Sequence, residues 1–421
     1  MQSDLTVIGA GLTGLTAAIE AAERGWRVTV AEAHSAPGGR ARTLPGPFRA
    51  GIGPHAVYVD GPWWAWLERR GLTPAVVGAP PGVSLVRAGG RLGPWPPELS
   101  RAIGALPARA PVQESFRAWL LRHADARMAE AIIGLVFIPT FDHDPGRLSA
   151  AFAQERLRRA LAGGARYVAG GWSALTGLLA GRAACLGVQI RTQARAAALP
   201  AGATILATSL ATARQLTGDR SLSWPGARVA LFDLGLRAGP GPAWFRVMDL
   251  DDRIYAARYS LADPSLAPPG HDLLQIAAAC PPRERKADAE RRVQRLLDQS
   301  WPGWRAAVVW HRSSVRVHCT GAVDLPGSTW RDRPAVGRSE TLAVASDQSA
   351  APGLLAETAI AAAQQAVRHL AGTAGQSPAR PAAPEPPGHS GGAPGEAPGR
   401  PAGHVAAAPG EVPAAGQPGQ A

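Results

Sequence analysis

The stretch VIGAGLTGLTAAIEAAERGWRVTVAE, from Val7 to Glu32, constrains the fold of this chain more than any other. LTVIGA reads as a short buried strand, LTGLTAAIEAAERG as a helix ended by Gly25, and WRVTVAE as the next strand. Between the first strand and the helix, Gly9, Gly11 and Gly14 stand in a G-x-G-x-x-G spacing. The first glycine permits a tight turn, the second lets backbone approach a diphosphate, and the third lets helix pack on strand. A helix opening at Leu12 and Thr13 presents free N–H groups and a positive dipole end. Glu32 ends the second strand, where a carboxylate can accept from ribose hydroxyls and repels a 2′-phosphate. Ala17, Ala18 and Ala21 are small enough to let the helix lie close to the sheet. Together these features predict a Rossmann-like α/β unit that binds a dinucleotide.

A second glycine pair follows at once, in APGGRART. Gly38 and Gly39 let the chain pass close to the ribose and diphosphate, and Arg40 can pair with phosphate oxygens. An ordinary turn with solvent-facing arginines would use the same letters. A simple nicotinamide dehydrogenase has no need of this second pair.

Length and charge limit the rest. The 421 residues suffice for two ordinary domains, and 46% hydrophobic with 18% charged residues reads as a globular protein. The formal net charge is +12, yet the basic residues are scattered and Lys286 is the only lysine. No run tracks a phosphate backbone, so nucleic acid is not an expected partner. Cys185, Cys280 and Cys319 form no C-x-x-C pair, which suggests a reducing compartment. With a strand beginning by Leu5 there is no room for a signal peptide, and MAEAIIGLVFIPTF is shorter than the roughly 20 residues of a membrane span. A cytoplasmic protein is expected, with contact to a membrane surface left open.

Other segments repeat the α/β texture. WSALTGLLAGRAACLGVQIRT, after Gly170 and Gly171, is again helix then strand, and ATILATS reads as a strand from Ala203 to Ser209. Between these units, residues 62–159 are rich in Trp and Pro and turn helical from about Glu114. RVALFDLGLR, RIYAARYS, DLLQIAAA and AAVVWHRSSVRVH read as a mostly antiparallel sheet, interrupted by the charged helix RERKADAERRVQRLLDQS. TLAVASDQSAAPGLLAETAIAAAQQAVRHL is strand, turn and a long alanine-rich helix. Beyond about Gly372 the Ala/Pro/Gly-rich sequence has no period that could bury a face, and residues 373–421 are expected to be a disordered tail. In HRSSVRVHC, His311, His318 and Cys319 lack zinc-ligand spacing, so no metal site is expected.

The residues now carry a family resemblance. E…PGGRART after G-x-G-x-x-G resembles the FAD motif of the flavin amine oxidase, phytoene desaturase and protoporphyrinogen oxidase superfamily, with phytoene desaturase-like proteins closest in pattern. FRAGIGPHAVY resembles the loop that passes the flavin, marked by Gly51, Gly53, Pro54 and His55. YVAGGWSALTGLLAGRAACLGVQIRTQARAAAL resembles the family's re-entry helix and strand, and LAVASDQSAAPGLLAETAIAAAQQAV its closing segment, with Ser346-Asp347 where Gly-Asp is usual.

The resemblance implies a glutathione-reductase-type FAD-binding domain of residues 1–60, 165–225 and 330–372, with an inserted α+β substrate domain of 61–164 and 226–329. It implies Asp347 beside the ribityl chain or diphosphate, Ala196 flanking the adenine, and Gly353, Leu354 and Leu355 bringing helix amides to the N1–C2 edge of the ring. His55 is the one candidate catalytic residue, placed to steer a proton or a charge; a turn histidine is the alternative. The implied reaction is dehydrogenation of a small apolar substrate by hydride transfer to flavin N5. Relatives that oxidise amines use a lysine near N5, and Lys286 lies in the charged helix, which argues against that type. Trp63, Trp64, Trp66, Trp95 and Trp119 either line an apolar tunnel or membrane-facing surface, or pack as core. A nicotinamide-dependent dehydrogenase and a non-catalytic binding protein on the same fold remain the alternatives. Substrate, electron acceptor and oligomeric state stay open.

Overall fold

The computed structural model describes residues 4–53, 56–80, 84–163, 165–239 and 241–374; the 373–421 tail lies almost wholly outside them. Residues 1–377 pack as one compact unit. Two large sheets and one small sheet organise it.

The six-stranded sheet runs in the order Gly337–Ser339, Leu342–Val344, Ala203–Leu206, Asp4–Ile8, Arg27–Ala31, Gln189–Arg191. Every neighbour pair is parallel except the edge hairpin of the first two strands. Its inner strands are covered on both faces, as a parallel sheet requires: Val7, Val30, Ile205 and Ala343 are buried on one side, and Ile8, Leu206 and Val344 on the other. The Leu12–Ala22 helix buries Ala17, Ala18 and Ile19 completely and packs against the Trp172–Cys185 and Ala356–Ala374 helices. The small alanines are what let three helices and a sheet meet there. Ala203–Leu206 is shorter than the sequence suggests. Ser209 leaves the strand to cap the Leu210–Thr217 helix, its Oγ accepting from the Thr212 amide at 3.2 Å.

The seven-stranded sheet runs Val308–Ala322, Gly226–Arg237, His271–Ala279, Ile254–Arg258, Arg246–Asp249, Ser84–Ala88, Arg91–Gly93, antiparallel except where Arg246–Asp249 meets Ser84–Ala88. The period of two sorts its side chains between two cores. Val229, Leu231, Ala277 and Ala279 face the Phe116–Leu120, Ala126–Thr140 and Ala150–Leu161 helices. Ala230, Phe232, Leu274 and Ile276 face Val293, Leu296 and Leu297 of the Lys286–Ser300 helix. A three-stranded sheet of Ala56–Tyr58, Ala165–Val168 and Val76–Val77 lies apart from both.

The tryptophans settle as core. Trp63, Trp64 and Trp66 pack with the helices of the six-stranded sheet and Trp119 with the helical layer of the other, while Trp95 is partly buried at that layer's edge. Trp66 Nε1 donates to Glu20 Oε1 at 2.6 Å, so the indole is tied into the first helix rather than facing a tunnel or a membrane. Among the described residues no helix is long and apolar enough to cross a membrane.

Candidate cofactor site

Gly9 sits at the turn after the first strand with φ of 103°, and a Cβ there would lie 2.5 Å from the Ala207 carbonyl oxygen. Gly14 is needed for contact rather than conformation: a Cβ would come within 1.8 Å of the Gly9 oxygen. This tight turn opens the Leu12–Ala22 helix directly onto a cavity of about 510 Å³.

Of the residues expected at the site, Gly9, Gly11, Leu12, Thr13, Glu32, Gly38, Gly39, Arg40, Ala196, Asp347 and Leu355 line this cavity. Gly14 lies behind it as the packing glycine. Three others do not line it: Gly53 backs onto Cys319, which does, Gly353 packs on Glu357, and Leu354 lines a different cavity. Leu355 takes φ of 53°, a left-handed turn that sends consecutive leucines to opposite sides of the chain. The Leu354 amide is moreover already engaged, donating to Glu357 Oε2 at 3.2 Å. Pro54 and His55 lie outside the described residues.

Glu32 is buried and holds the turn together. Its Oε2 accepts from the Ala10 amide at 2.8 Å, and its Oε1 accepts from the His34 amide at 2.8 Å and lies 2.7 Å from His34 Nδ1. Burial pushes its pKa up, but the His34 and Ala10 amides outweigh that and hold it below the ordinary glutamate value. An ionised carboxylate has about four lone-pair sites. Three are taken, which leaves one for a ligand hydroxyl.

Arg40 joins the two ends of the chain. Its Nη2 is 2.7 Å from Asp347 Oδ2, and its Nη1 donates to the His318 carbonyl at 2.5 Å. His318, at φ of 57°, has its Nδ1 2.7 Å from Gln348 Nε2, and burial lowers its pKa against the pull of Asp347. The shift favours the neutral imidazole. Ser346, in place of the usual glycine, is buried in the cavity wall; its Oγ donates to Asp347 Oδ1 at 3.2 Å and accepts from the Gln348 amide.

Sequence reasoning missed several lining residues. Trp172 follows the Gly170-Gly171 pair and stacks on Trp63 at 6.1 Å, while Arg316, Cys319 and Thr320 come from the end of the longest strand. Thr320 Oγ1 donates to the Thr140 carbonyl at 2.5 Å. Cys319, buried beside Ile52, has its thiol pushed up to about 11 by burial. Nothing in the local sequence marks the last three, because only the register of a 15-residue strand brings them here.

The cavity suits a dinucleotide on this structure's own terms. A Cβ on Gly11 would meet nothing nearer than the Gly38 oxygen at 4.0 Å, so the glycine leaves open space at the helix N-terminus. Arg40, Arg42 and Arg316 supply cations along the wall, and Ala194 and Ala196 a small, flat side beyond Glu32.

The comparisons agree. Residues 7–69 match the family model described as an NAD(P)-binding Rossmann-like domain. A hydroxyneurosporene desaturase from Rhodobacter capsulatus is 61% identical over 46 residues, 11% of this chain and 9% of that protein. One from Cereibacter sphaeroides is 54% identical over 50 residues, 11% and 10% respectively. The chain thus matches only about a tenth of the length of these relatives. Solved structures match throughout the body. An oxidoreductase from Methanosarcina mazei has a TM-score of 0.70 at 18% identity, covering 87% of this chain and 99% of that one. Cyclohexylamine oxidase from Brevibacterium oxydans has 0.66 at 15% (89% and 100%), and a putative protoporphyrinogen oxidase from Exiguobacterium sp. 0.64 at 14% (89% and 100%). In class, this is an α/β protein with a Rossmann-like domain match at residues 7–69 and the fold of these oxidoreductases. The resemblance to the amine oxidase, desaturase and protoporphyrinogen oxidase superfamily holds in its motif and in its fold.

Proposed function

We propose that the chain is an FAD-dependent oxidoreductase that dehydrogenates a small apolar substrate. One observation carries this reading: a single cavity is lined both by Gly9–Thr13 near the start of the chain and by Ser346, Asp347, Leu355 and Ala356 near its end. A nicotinamide site needs only the first wall; a flavin needs the second as well. The strands of residues 4–31, 189–206 and 337–344 form the cofactor module in this reading, and the seven-stranded sheet with its helices the substrate module.

The residues divide the work. The opening of the Leu12–Ala22 helix and Arg40 hold the diphosphate, and the free lone pair of Glu32 accepts from the adenosine ribose. Asp347 and Ser346 face the ribityl chain. Leu355 and Ala356, where the last helix begins, meet the polar edge of the ring, and Trp172, Ile52 and Ala56 keep water from it. Bound flavin would supply the hydride acceptor. Lys286 does not line the cavity; its Nζ donates to Ser313 Oγ on the surface, which speaks against a lysine-dependent amine oxidase. The three free cysteines accord with a reducing, cytoplasmic setting.

The test is direct. Protein purified with added FAD should carry a flavin absorbance spectrum, and an apolar polyene or porphyrinogen should bleach it without oxygen. Absence of flavin after reconstitution, with NADH bound instead, would end the proposal.

A further inference from the structure

Trp172 lines the cofactor cavity and belongs, with Trp63 and Trp66, to the buried core beside the six-stranded sheet. Its ring stacks on that of Trp63, with centroids 6.1 Å apart and planes 5° from parallel. Trp63 and Trp66 stand three positions apart on the Pro62–Glu68 helix, a spacing that puts side chains on one face with Cβ atoms about 5–6 Å apart. A continuous path of indoles therefore leads from the cavity wall to the Leu12–Ala22 helix, where Trp66 meets Glu20.

Packing explains the burial of these rings but not the difference between their N–H groups. Trp63 Nε1 is sealed from solvent and has no hydrogen-bond partner among the described residues. Trp66 Nε1 donates to Glu20 Oε1 at 2.6 Å, a short bond to a carboxylate. Burial pushes the Glu20 carboxyl up, but the Arg24 guanidinium and the Trp66 indole outweigh it and hold it below the ordinary glutamate value, so it is ionised at neutral pH. The Arg70 guanidinium lies 4.2 Å from the centroid of the Trp66 ring, and its Nη2 donates to the same Glu20 oxygen at 3.1 Å. So close a cation opposes positive charge on that indole. An indole that has lost an electron is a strong N–H acid. Trp63 has no base to take its proton, whereas Trp66 has one already hydrogen-bonded to it.

We infer that Trp172, Trp63 and Trp66 form a one-electron relay out of the cofactor cavity, ended by proton transfer from Trp66 to Glu20. The inference rests on the flavin reading, because the relay needs an oxidant in the cavity, and that oxidant is oxidised flavin excited by blue light. Trp172 gives up one electron to it, Trp63 refills Trp172, and Trp66 refills Trp63. Trp66 then passes its Nε1 proton to Glu20 Oε1 and is left as a neutral radical. One electron has reached the flavin and one proton Glu20, so charge balances, and return of the electron to Trp66 brings the proton back. Trp64 takes no part: adjacent helix positions face apart, and its Nε1 donates to Glu68 Oε1 at 2.8 Å.

Flash photolysis of the FAD-loaded full-length chain, without substrate or oxygen, tests the relay. A blue pulse should raise the absorbance of a deprotonated tryptophan radical, and deuterium oxide should slow its rise severalfold. Trp66→Phe should keep the parental flavin spectrum, lose the radical and return to the ground state several times faster. Trp172→Phe should also lose the radical and lengthen the flavin fluorescence lifetime severalfold, and Trp64→Phe should behave as the parent. A radical that survives in Trp66→Phe, its loss in Trp64→Phe, an unchanged fluorescence lifetime in Trp172→Phe, or a rise without an isotope effect would overturn the inference. The radical and its isotope effect are read on the parent, so a variant that fails to fold does not shield the relay from refutation. A chain that takes up no FAD defeats the flavin proposal; one that holds FAD and yields no tryptophan radical defeats the relay alone.

Discussion

Arg40 and Asp347 meet at 2.7 Å in the wall of one cavity, and through them the second glycine motif touches the closing segment. Each partner can serve a nucleotide, the guanidinium for phosphate and the carboxylate for hydroxyls. Binding therefore exchanges one charge-assisted contact for others instead of exposing a bare ion. Arg40→Met should weaken FAD about tenfold or more and flatten the salt dependence of its affinity. Asp347→Asn, which frees Arg40, should cost less. Quenching of FAD fluorescence on titration measures both.

Glu32→Gln removes a charge that three donors surround. The loss should be about 1.5–3 kcal/mol, the worth of hydrogen bonds to an ionised group. The pH dependence follows from the sign of the shift. The folded pKa of Glu32 is depressed, so its contribution is present above the ordinary glutamate value and is lost as pH falls through the lower folded value. Urea melts through the acid range should show this loss in the parent and not in the variant.

Gly14→Ala sets a methyl group against a backbone oxygen that cannot move without opening the first turn. A loss of about 3 kcal/mol and of nucleotide binding is expected. Gly25 is the control. It has φ of 83° and empty space around it, so Gly25→Ala should cost only about 1 kcal/mol of left-handed strain. Calorimetric melting of the two variants separates contact from conformation.

Glu357 shows the opposite shift to Glu32. Burial raises its pKa, and the Leu354 amide and the arginines Arg159 and Arg156 recover only part of the cost. Both states are protonated below the ordinary glutamate value, and the penalty grows as pH rises from there through the raised folded value. Glu357→Gln should therefore stabilise the protein at neutral pH, by up to about 1 kcal/mol, with the advantage vanishing in acid. Denaturation midpoints across pH report it.

The first wall of the site was legible because its determinants are local. Gly9, Gly11, Gly14 and Glu32 work through a turn, a helix start and a strand end that neighbouring residues define. The second wall was legible only in part. Asp347 and Leu355 line the same cavity as the first wall, but the left-handed Leu355 turns Leu354 away, and no composition rule foresees that conformation in a leucine. The tryptophans were ambiguous because an indole serves a core or a tunnel equally well until its N–H finds a partner, as Trp66 does in Glu20. Ser209 was read into a strand because Ala-Thr-Ser suits a strand end and a helix cap alike.

The six-stranded sheet has an outcome for how the protein is made. Asp4–Ile8 is made well before the Ala203–Leu206 strand that pairs beside it, and the Leu342–Val344 strand beyond follows only after most of the described residues have been synthesised. Such long-range pairing is slow to form. During translation the glycine turn is thus half a socket, and a nucleotide captured early would have nothing to close over it. On the proposed reading, cofactor loading would be a late event, and a product truncated before the Ala356–Ala374 helix would emerge without its second wall.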